Sequence, residues 1–228
     1  PALVGNEASA LLKLKIETTG QLNPISLTEL HASLSSETHL SDLTSVHVSQ
    51  SDRQDRFPKS RPVASLDAKQ VGNKPLVFSL SDHAFQLAEG TNYIWLSCRL
   101  NKQANIDHLI GIACRKLIFS NGKTVKPDQT SSIQRMGVAL RNGGDNGVNT
   151  YRIPGLATTK KGALIGVYDV RRRSGGDLPG DIDVGMSRSI DGGRTWDPMK
   201  VIMDMGNDPK WRYDGIGDPA VLVDQGTG

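Results

Sequence analysis

The sequence has few cysteines and few histidines, and this shortage narrows the kinds of site it can hold. Only two of its 228 residues are cysteines, Cys98 and Cys114. Because the chain has no Cys-x-x-Cys pair and only five scattered histidines, nothing in it indicates a metal site, and we expect no metal and no cofactor. The spacing of the two cysteines leaves a disulfide open, but we favour buried free thiols.

Long apolar runs and a strong charge of one sign are also missing. No stretch approaches the roughly 20 apolar residues of a membrane-spanning helix, and the first residues lack the layout of a signal peptide. We therefore expect a soluble chain without a membrane span, from which any export signal has been removed. The net charge is only +3 and the 27 Lys and Arg are spread along the chain, so we expect no nucleic-acid partner.

What the sequence does contain is the pattern of an all-β protein. Its 24 glycines and 11 prolines suit a turn-rich globular chain. Apolar and polar residues alternate around Leu12, Leu14 and Ile16, the period of a half-buried strand. Similar runs separated by turn residues follow at Val46 and Val48, Leu76–Leu80, Tyr93–Leu100 and Leu109–Phe119. This spacing predicts a β-sandwich over residues 1–128, with residues 51–62 as a surface loop.

A second domain is predicted over residues 129–228. Four strand candidates joined by short turns follow one another: Thr150–Thr159, Ala163–Arg171, Ile182–Ile190 and Trp196–Met203. Four up-and-down strands in about fifty residues are typical of one propeller blade. Residues 217–223 then read as the opening strand of another blade. Because a propeller closes with typically four to eight blades, we expect the sequence to be a fragment that needs further C-terminal blades to complete its fold.

The turn after the third strand carries an eight-residue motif. Residues 189–196 read Ser-Ile-Asp-Gly-Gly-Arg-Thr-Trp, which resembles the Asp box, or BNR repeat, of sialidases and related propellers. Asp191 is expected to accept hydrogen bonds within its own turn, and Gly193 to adopt a left-handed conformation. The motif positions are Ser189, Asp191, Gly193, Thr195 and Trp196. Since the motif is structural, we do not expect Asp191 to be catalytic.

A second motif lies upstream of this turn. Residues 151–154 read Tyr-Arg-Ile-Pro, and together with the Asp box they resemble bacterial exo-α-sialidases (neuraminidases) that carry an N-terminal β-sandwich. The resemblance implies a six-bladed propeller, a glycoside hydrolase acting on sialylated glycans, and a secreted, periplasmic or cell-surface location. It also implies that Arg152 is the first of three arginines that bind the carboxylate of sialic acid, a task for which a planar guanidinium is suited.

The same resemblance assigns roles to the segment that follows the second strand. Arg171 becomes a second substrate-binding arginine and Asp177, six residues later, the catalytic general acid/base. Asp181 and Asp183 remain competitors for Asp177, with Asp183 the weaker because its neighbours commit it to a strand. Arg172 or Arg173 would replace Arg171 if the register were shifted. Asp218 is assigned as a substrate-contacting residue.

Several parts of the mechanism must come from elsewhere. In the family a tyrosine attacks the anomeric carbon, a glutamate activates it, and two more arginines complete the triad, all from later blades. We therefore expect the 228-residue chain alone to be inactive. Two alternatives stay open: a non-catalytic Asp-box propeller that binds glycans, and a trans-sialidase variant. For the N-terminal sandwich we favour bracing over glycan binding, although exposed aromatic platforms and core aromatics cannot be distinguished among Tyr93, Trp95, Phe78 and Phe85.

Overall fold

The computed structural model describes residues 1–20, 22–51, 53–57, 62–72, 74–80, 85–128, 131–206, 214–224 and 226–227. The chain divides into two compact units, Pro1–Val138 and Ala139–Gly228. Strands dominate both units, so the predicted all-β class is confirmed. Within the described part of the chain, no helix is long and apolar enough to cross a membrane.

In its described residues the first unit has two sheets, a short α-helix, α1 (Ala68–Val71), and a 3-10 turn at Leu40–Asp42. Its strands are β1 (Ala2–Val4), β2 (Ser9–Thr18), β3 (Leu27–Leu34), β4 (Leu43–Gln50), β5 (Ala64–Asp67), β6 (Leu76–Ser79), β7 (Gly90–Leu100), β8 (Leu109–Phe119), β9 (Thr124–Val125) and β10 (Ser131–Val138). One sheet has the order β1-β10-β8-β3-β6, with β9 on β8, and the other has the order β2-β7-β4-β5.

One apolar core joins the two sheets and makes the unit a sandwich. It combines Leu96 of β7 with Ile112 of β8 and Phe78 of β6, all of them almost fully buried. The period-2 alternation of the sequence supplies these inward side chains. Phe85 also belongs to this core, whereas Tyr93 and Trp95 are half-buried, which separates core aromatics from partly exposed ones.

The two cysteines lie in different sheets of this sandwich, Cys98 on β7 and Cys114 on β8. Both are free and buried. Desolvation by burial raises the pKa of Cys98 to about 12 and that of Cys114 to about 11. The expected free thiols are therefore confirmed, and both are protonated and unreactive at neutral pH.

The first unit extends beyond residue 128, where the sequence predicted its end. Strand β10 pairs antiparallel with β8 and parallel with β1. The turn-rich stretch at residues 120–128 therefore joins strands of one sheet rather than two domains, and the unit ends at Val138.

The second unit contains one four-stranded antiparallel sheet. Its strands are β11 (Thr150–Thr158), β12 (Leu164–Arg171), β13 (Ile182–Ser189) and β14 (Lys200–Met203), and they are adjacent in chain order. This is the meander of one propeller blade that the sequence predicted. Strand β14 starts later than the predicted Trp196, because the indole of Trp196 donates to Gly193 O at 3.0 Å and is part of the preceding turn.

Residues 214–224 return to this sheet. The Ile216 amide donates to Ile182 O at 2.8 Å, and Gly215 forms an isolated bridge with Ile182. Residues 216–224 have no strand ladder within the described ranges.

Candidate active site

The register of β11 and β12 places three charged side chains on one face of the sheet. Arg152 lies directly opposite Asp169, and Thr150 lies opposite Arg171. Directly opposed residues of antiparallel strands point to the same side, and so do residues two positions apart on one strand. Arg152, Asp169 and Arg171 therefore share a face.

Strand β11 is irregular next to Arg152. Its register with β12 shifts between Arg152 and Gly155, and Ile153 has a φ of 50°. A β-branched residue rarely adopts this left-handed conformation, which marks local strain. A bulge bends its strand and redirects the neighbouring side chain, so the Tyr-Arg-Ile-Pro motif fixes the direction of Arg152.

The loop between β12 and β13 brings Asp177 to both arginines. Asp177 Oδ1 accepts hydrogen bonds from Arg171 Nη1 at 2.7 Å and from Arg152 Nη1 at 3.2 Å. Gly175 O also accepts from both guanidinium groups, at 3.1 Å each. Three of the four residues that the resemblance assigned to the site, Arg152, Arg171 and Asp177, therefore meet around one carboxylate oxygen.

The electrostatics of this cluster favour ionised Asp177. The hydrogen bond from Arg171, the charge of Arg171 and the charge of Arg152 lower the pKa of Asp177. Its side chain is 77% exposed, so little desolvation opposes this effect. In this arrangement the carboxyl group is a base and an anion at neutral pH, and a rise in its pKa must precede any role as an acid.

Arg152 and Arg171 differ in how much of each remains accessible. The side chain of Arg152 is 43% exposed, and that of Arg171 is 3% exposed. The hydrogen bonds of Arg152 to described residues all use Nη1. In contrast, Nε, Nη1 and Nη2 of Arg171 all donate to protein acceptors. Desolvation works against the charge of Arg171, but its bonds to Asp177 and Asp169 outweigh this and raise its pKa.

The competing residues occupy other places. Asp183 lies opposite Val170 on the other face of the sheet and accepts hydrogen bonds from Arg172 Nε at 2.9 Å and Nη2 at 2.7 Å. Asp181 is paired with Arg173 at 3.3 Å. Asp183 therefore lies on the opposite face of the sheet from Arg152 and Arg171, the two arginines that bind Asp177. The catalytic assignment of Asp177 stays a prediction.

Asp218 reaches the site through its backbone. Its amide donates to Asp169 Oδ1 at 2.9 Å, and its φ of 58° is left-handed. Asp218 is exposed, so its carboxylate is accessible, and its role in binding substrate stays a prediction. Trp211 and Tyr213, which could also line a pocket, lie outside the described residues.

Sequence reasoning missed Asp169. This residue is 0% exposed and binds both Arg171 and the Asp218 amide. A signal was available, because an acid and a base two residues apart on a strand point to the same side. In an apolar strand such a pair is unusual.

The turn at residues 189–196 is held by side-chain hydrogen bonds. Ser189 Oγ donates to Asp191 Oδ1 at 2.8 Å, and the Thr195 amide donates to the same oxygen at 2.9 Å. Thr195 Oγ1 donates to Asp191 Oδ2 at 2.6 Å, and Gly193 has the expected left-handed φ of 88°. The bonds from Thr195, then that from Ser189, lower the pKa of Asp191 to about 2.

A comparison with known families identifies the chain. Residues 1–124 match the family described as the N-terminal domain of BNR-repeat neuraminidase. The chain belongs to the BNR-repeat neuraminidase family. The resemblance to bacterial sialidases with an N-terminal sandwich is thereby confirmed.

Individual relatives of this chain agree with the family match. A sialidase from Bacteroides fragilis (strain YCH46) is 39% identical over 148 residues, which cover 62% of this chain and 27% of the relative. A sialidase from Micromonospora viridifaciens is 40% identical over 85 residues, or 37% of this chain and 13% of the relative.

Among solved structures, the Hadza microbial sialidase Hz136 matches with a TM-score of 0.76 and 28% identity, covering 100% of this chain and 48% of that one. This chain thus spans about a quarter of the Bacteroides relative and about half of Hz136.

Proposed function

We propose that the chain is the N-terminal part of an exo-α-sialidase that hydrolyses terminal sialic acids from glycoconjugates. The observation that carries this proposal is the meeting of Arg152, Arg171 and Asp177 around Asp177 Oδ1. Family membership supports it independently. In this proposal the tyrosine nucleophile, the glutamate that activates it and two further arginines are supplied by later blades of a six-bladed propeller. The whole protein acts outside the cytoplasm.

Arg152 binds the carboxylate of the substrate. Its guanidinium is partly exposed, and its bonds to described residues use one nitrogen. The other edge offers paired N–H donors at the spacing of two carboxylate oxygens. Binding the anion there also offsets the positive charge that Arg152 directs at Asp177.

This offset prepares Asp177 for acid catalysis. When the substrate carboxylate neutralises Arg152 and the sugar ring displaces water, both changes raise the pKa of Asp177. Asp177 then donates its proton to the leaving oxygen as the bond from that oxygen to the anomeric carbon breaks, and the family's tyrosine attacks the same carbon while its phenolic proton passes to the family's glutamate. In the second step Asp177 takes a proton from the water that releases the sugar.

The test is hydrolysis of a fluorogenic sialoside by the full-length protein and its Asp177→Asn variant. We expect turnover by the wild type and a decrease in kcat of about 10²- to 10⁴-fold in the variant. Binding of the sialoside without turnover by the wild type would favour the glycan-binding alternative. Transfer of sialic acid to added lactose, detected by mass spectrometry, would favour a trans-sialidase.

A further inference from the structure

A buried carboxylate lies behind the residues assigned to the site. Asp169, in the middle of the charged face of β12, is 0% exposed. A carboxylate without water is stable only when paired with a cation and supplied with hydrogen bonds. The partners of Asp169 therefore show what this residue holds in place.

The two oxygens of Asp169 have different partners. Oδ2 accepts from Arg171 Nε at 3.1 Å and from Arg171 Nη2 at 2.8 Å. Oδ1 accepts from the Asp218 amide at 2.9 Å. One side chain thus binds an arginine on its own strand and the backbone of a segment 49 residues later.

Each partner extends the connection to the proposed substrate. Arg171 binds Asp169 through Nε and Nη2, which leaves Nη1 for Asp177 and for Gly176 O, at 2.7 and 2.6 Å. On the other side, a Cβ at Gly217 would lie 3.2 Å from Asp169 Oδ1. This close approach lets the Asp218 amide reach the carboxylate.

We propose that Asp169 is a positioning residue that fixes the Arg171 guanidinium and the Asp218 backbone relative to each other. This inference rests on the proposed function, because it assumes that Arg171, Asp177 and Asp218 act on one substrate. Asp169 touches no substrate itself. Its charged neighbours are Arg152 across β11, Arg171 on β12 and Asp218 on the returning segment.

The same sheet provides a matched control. Asp183 on β13 is 3% exposed and likewise accepts from Nε and Nη2 of one arginine, Arg172, whose own side chain is 35% exposed. This second pair lies on the opposite face, and in the described residues it makes no contact with Asp177 or Asp218. Replacing either aspartate removes a buried carboxylate that binds an arginine, but only Asp169 is connected to the proposed site.

The test is hydrogen exchange measured by transverse-relaxation-optimised NMR in the full-length protein. In Asp169→Asn, the Arg171 Nε–H and the Asp218 amide should both exchange about 10- to 100-fold faster, because each loses a charged acceptor. In Asp183→Asn both rates should be unchanged, and the Arg172 Nε–H should exchange faster instead. A general loss of the fold would instead accelerate the amides of β12 and β13 in both variants alike.

Asp169→Ser serves as a second variant, because it removes the charge without turning an amide donor toward Arg171. Unchanged exchange rates at Arg171 and Asp218 in the folded variants would overturn the inference. Unfolding of both Asp169 variants would also overturn it, because Asp169 would then be required for the fold rather than for positioning.

In the full-length enzyme, Asp169→Asn should weaken the binding of a sialic-acid transition-state analogue by about 10- to 100-fold, with Asp183→Asn close to wild type. Equal losses of affinity in Asp169→Asn and Asp183→Asn would also overturn the inference. A wild type that does not hydrolyse sialosides would refute the proposed function, whereas the exchange result would still decide the connection between Arg171 and Asp218.

Discussion

The interiors of the two units are built from different side chains. In the first unit, a continuous apolar core from both sheets excludes water. In the second, a small apolar cluster of Val148, Tyr168 and Val170 packs beside two buried aspartates, Asp169 and Asp183, each of which is paired with an arginine. An apolar core stabilises through hydrophobic burial, whereas buried ion pairs contribute little net stability. The first unit therefore gains its stability mainly from apolar burial, whereas the sheet of the second unit holds two buried carboxylates and their arginines in fixed directions.

The largest effect is expected in the apolar core. Phe78 is 1% exposed and contacts the interior of the sandwich. Phe78→Ala should lower the free energy of unfolding of the first unit by about 3–5 kcal/mol, because it leaves a cavity in a close-packed core. Urea unfolding of the 228-residue chain measures this change. A loss below about 1 kcal/mol would mean that the first unit does not depend on this core.

A smaller, pH-dependent effect is expected in the hydrogen-bonded turn of the second unit. Asp191 has a pKa of about 2 in the fold, and an unfolded aspartate has one of about 3.9. A lowered carboxyl pKa stabilises the fold above the unfolded pKa, and this contribution is lost as the pH falls through the folded pKa. Asp191→Asn should therefore be less stable than the wild type at pH 7, and the gap should close between about pH 4 and pH 2.

Urea unfolding of wild type and Asp191→Asn at several pH values in this range measures the gap. A gap that is independent of pH would show that the ionised carboxylate of Asp191 does not stabilise the turn.

The smallest effect is expected on the exposed face of the blade. Leu156 on β11 is 65% exposed. Leu156→Ser should change the unfolding free energy of the 228-residue chain by less than about 0.5 kcal/mol, in contrast with Phe78→Ala. A large loss, measured by the same urea titration, would reveal packing of Leu156 that the described residues do not show.

Much of the fold could be predicted from the sequence because it is encoded in local alternation. The blade strands were predicted to within one residue at most ends, since period-2 patterns and Asp-Gly-Gly turns are local signals. Strand β3 (Leu27–Leu34) was not among the predicted runs, and the start of β14 was wrong because Trp196 belongs to the turn. The domain boundary depends on the pairing of β10 with β8, a long-range contact that residues 120–128 do not encode.

The site was predicted in part, through the resemblance of short motifs to those of bacterial sialidases. The Tyr-Arg-Ile-Pro motif and the spacing of Arg171 and Asp177 pointed to residues that the structure brings together, although their roles remain predictions. The spacing of Asp169 and Arg171 was a local signal for their pairing, but the contact of Asp169 with the Asp218 amide and the left-handed Ile153 could not be predicted from local signals. Both follow from the register between β11 and β12 and from the return of residues 214–224.

The most direct test of the account is the affinity of the full-length protein for a sialic-acid transition-state analogue, measured by calorimetry. Arg173, which is 79% exposed and paired with Asp181, provides the control. We predict that Arg152→Ala weakens binding by about 100-fold, the loss of a charge-assisted pair of hydrogen bonds, while Arg173→Ala binds like the wild type. Unchanged affinity in Arg152→Ala would contradict the assignment of Arg152 to the substrate carboxylate.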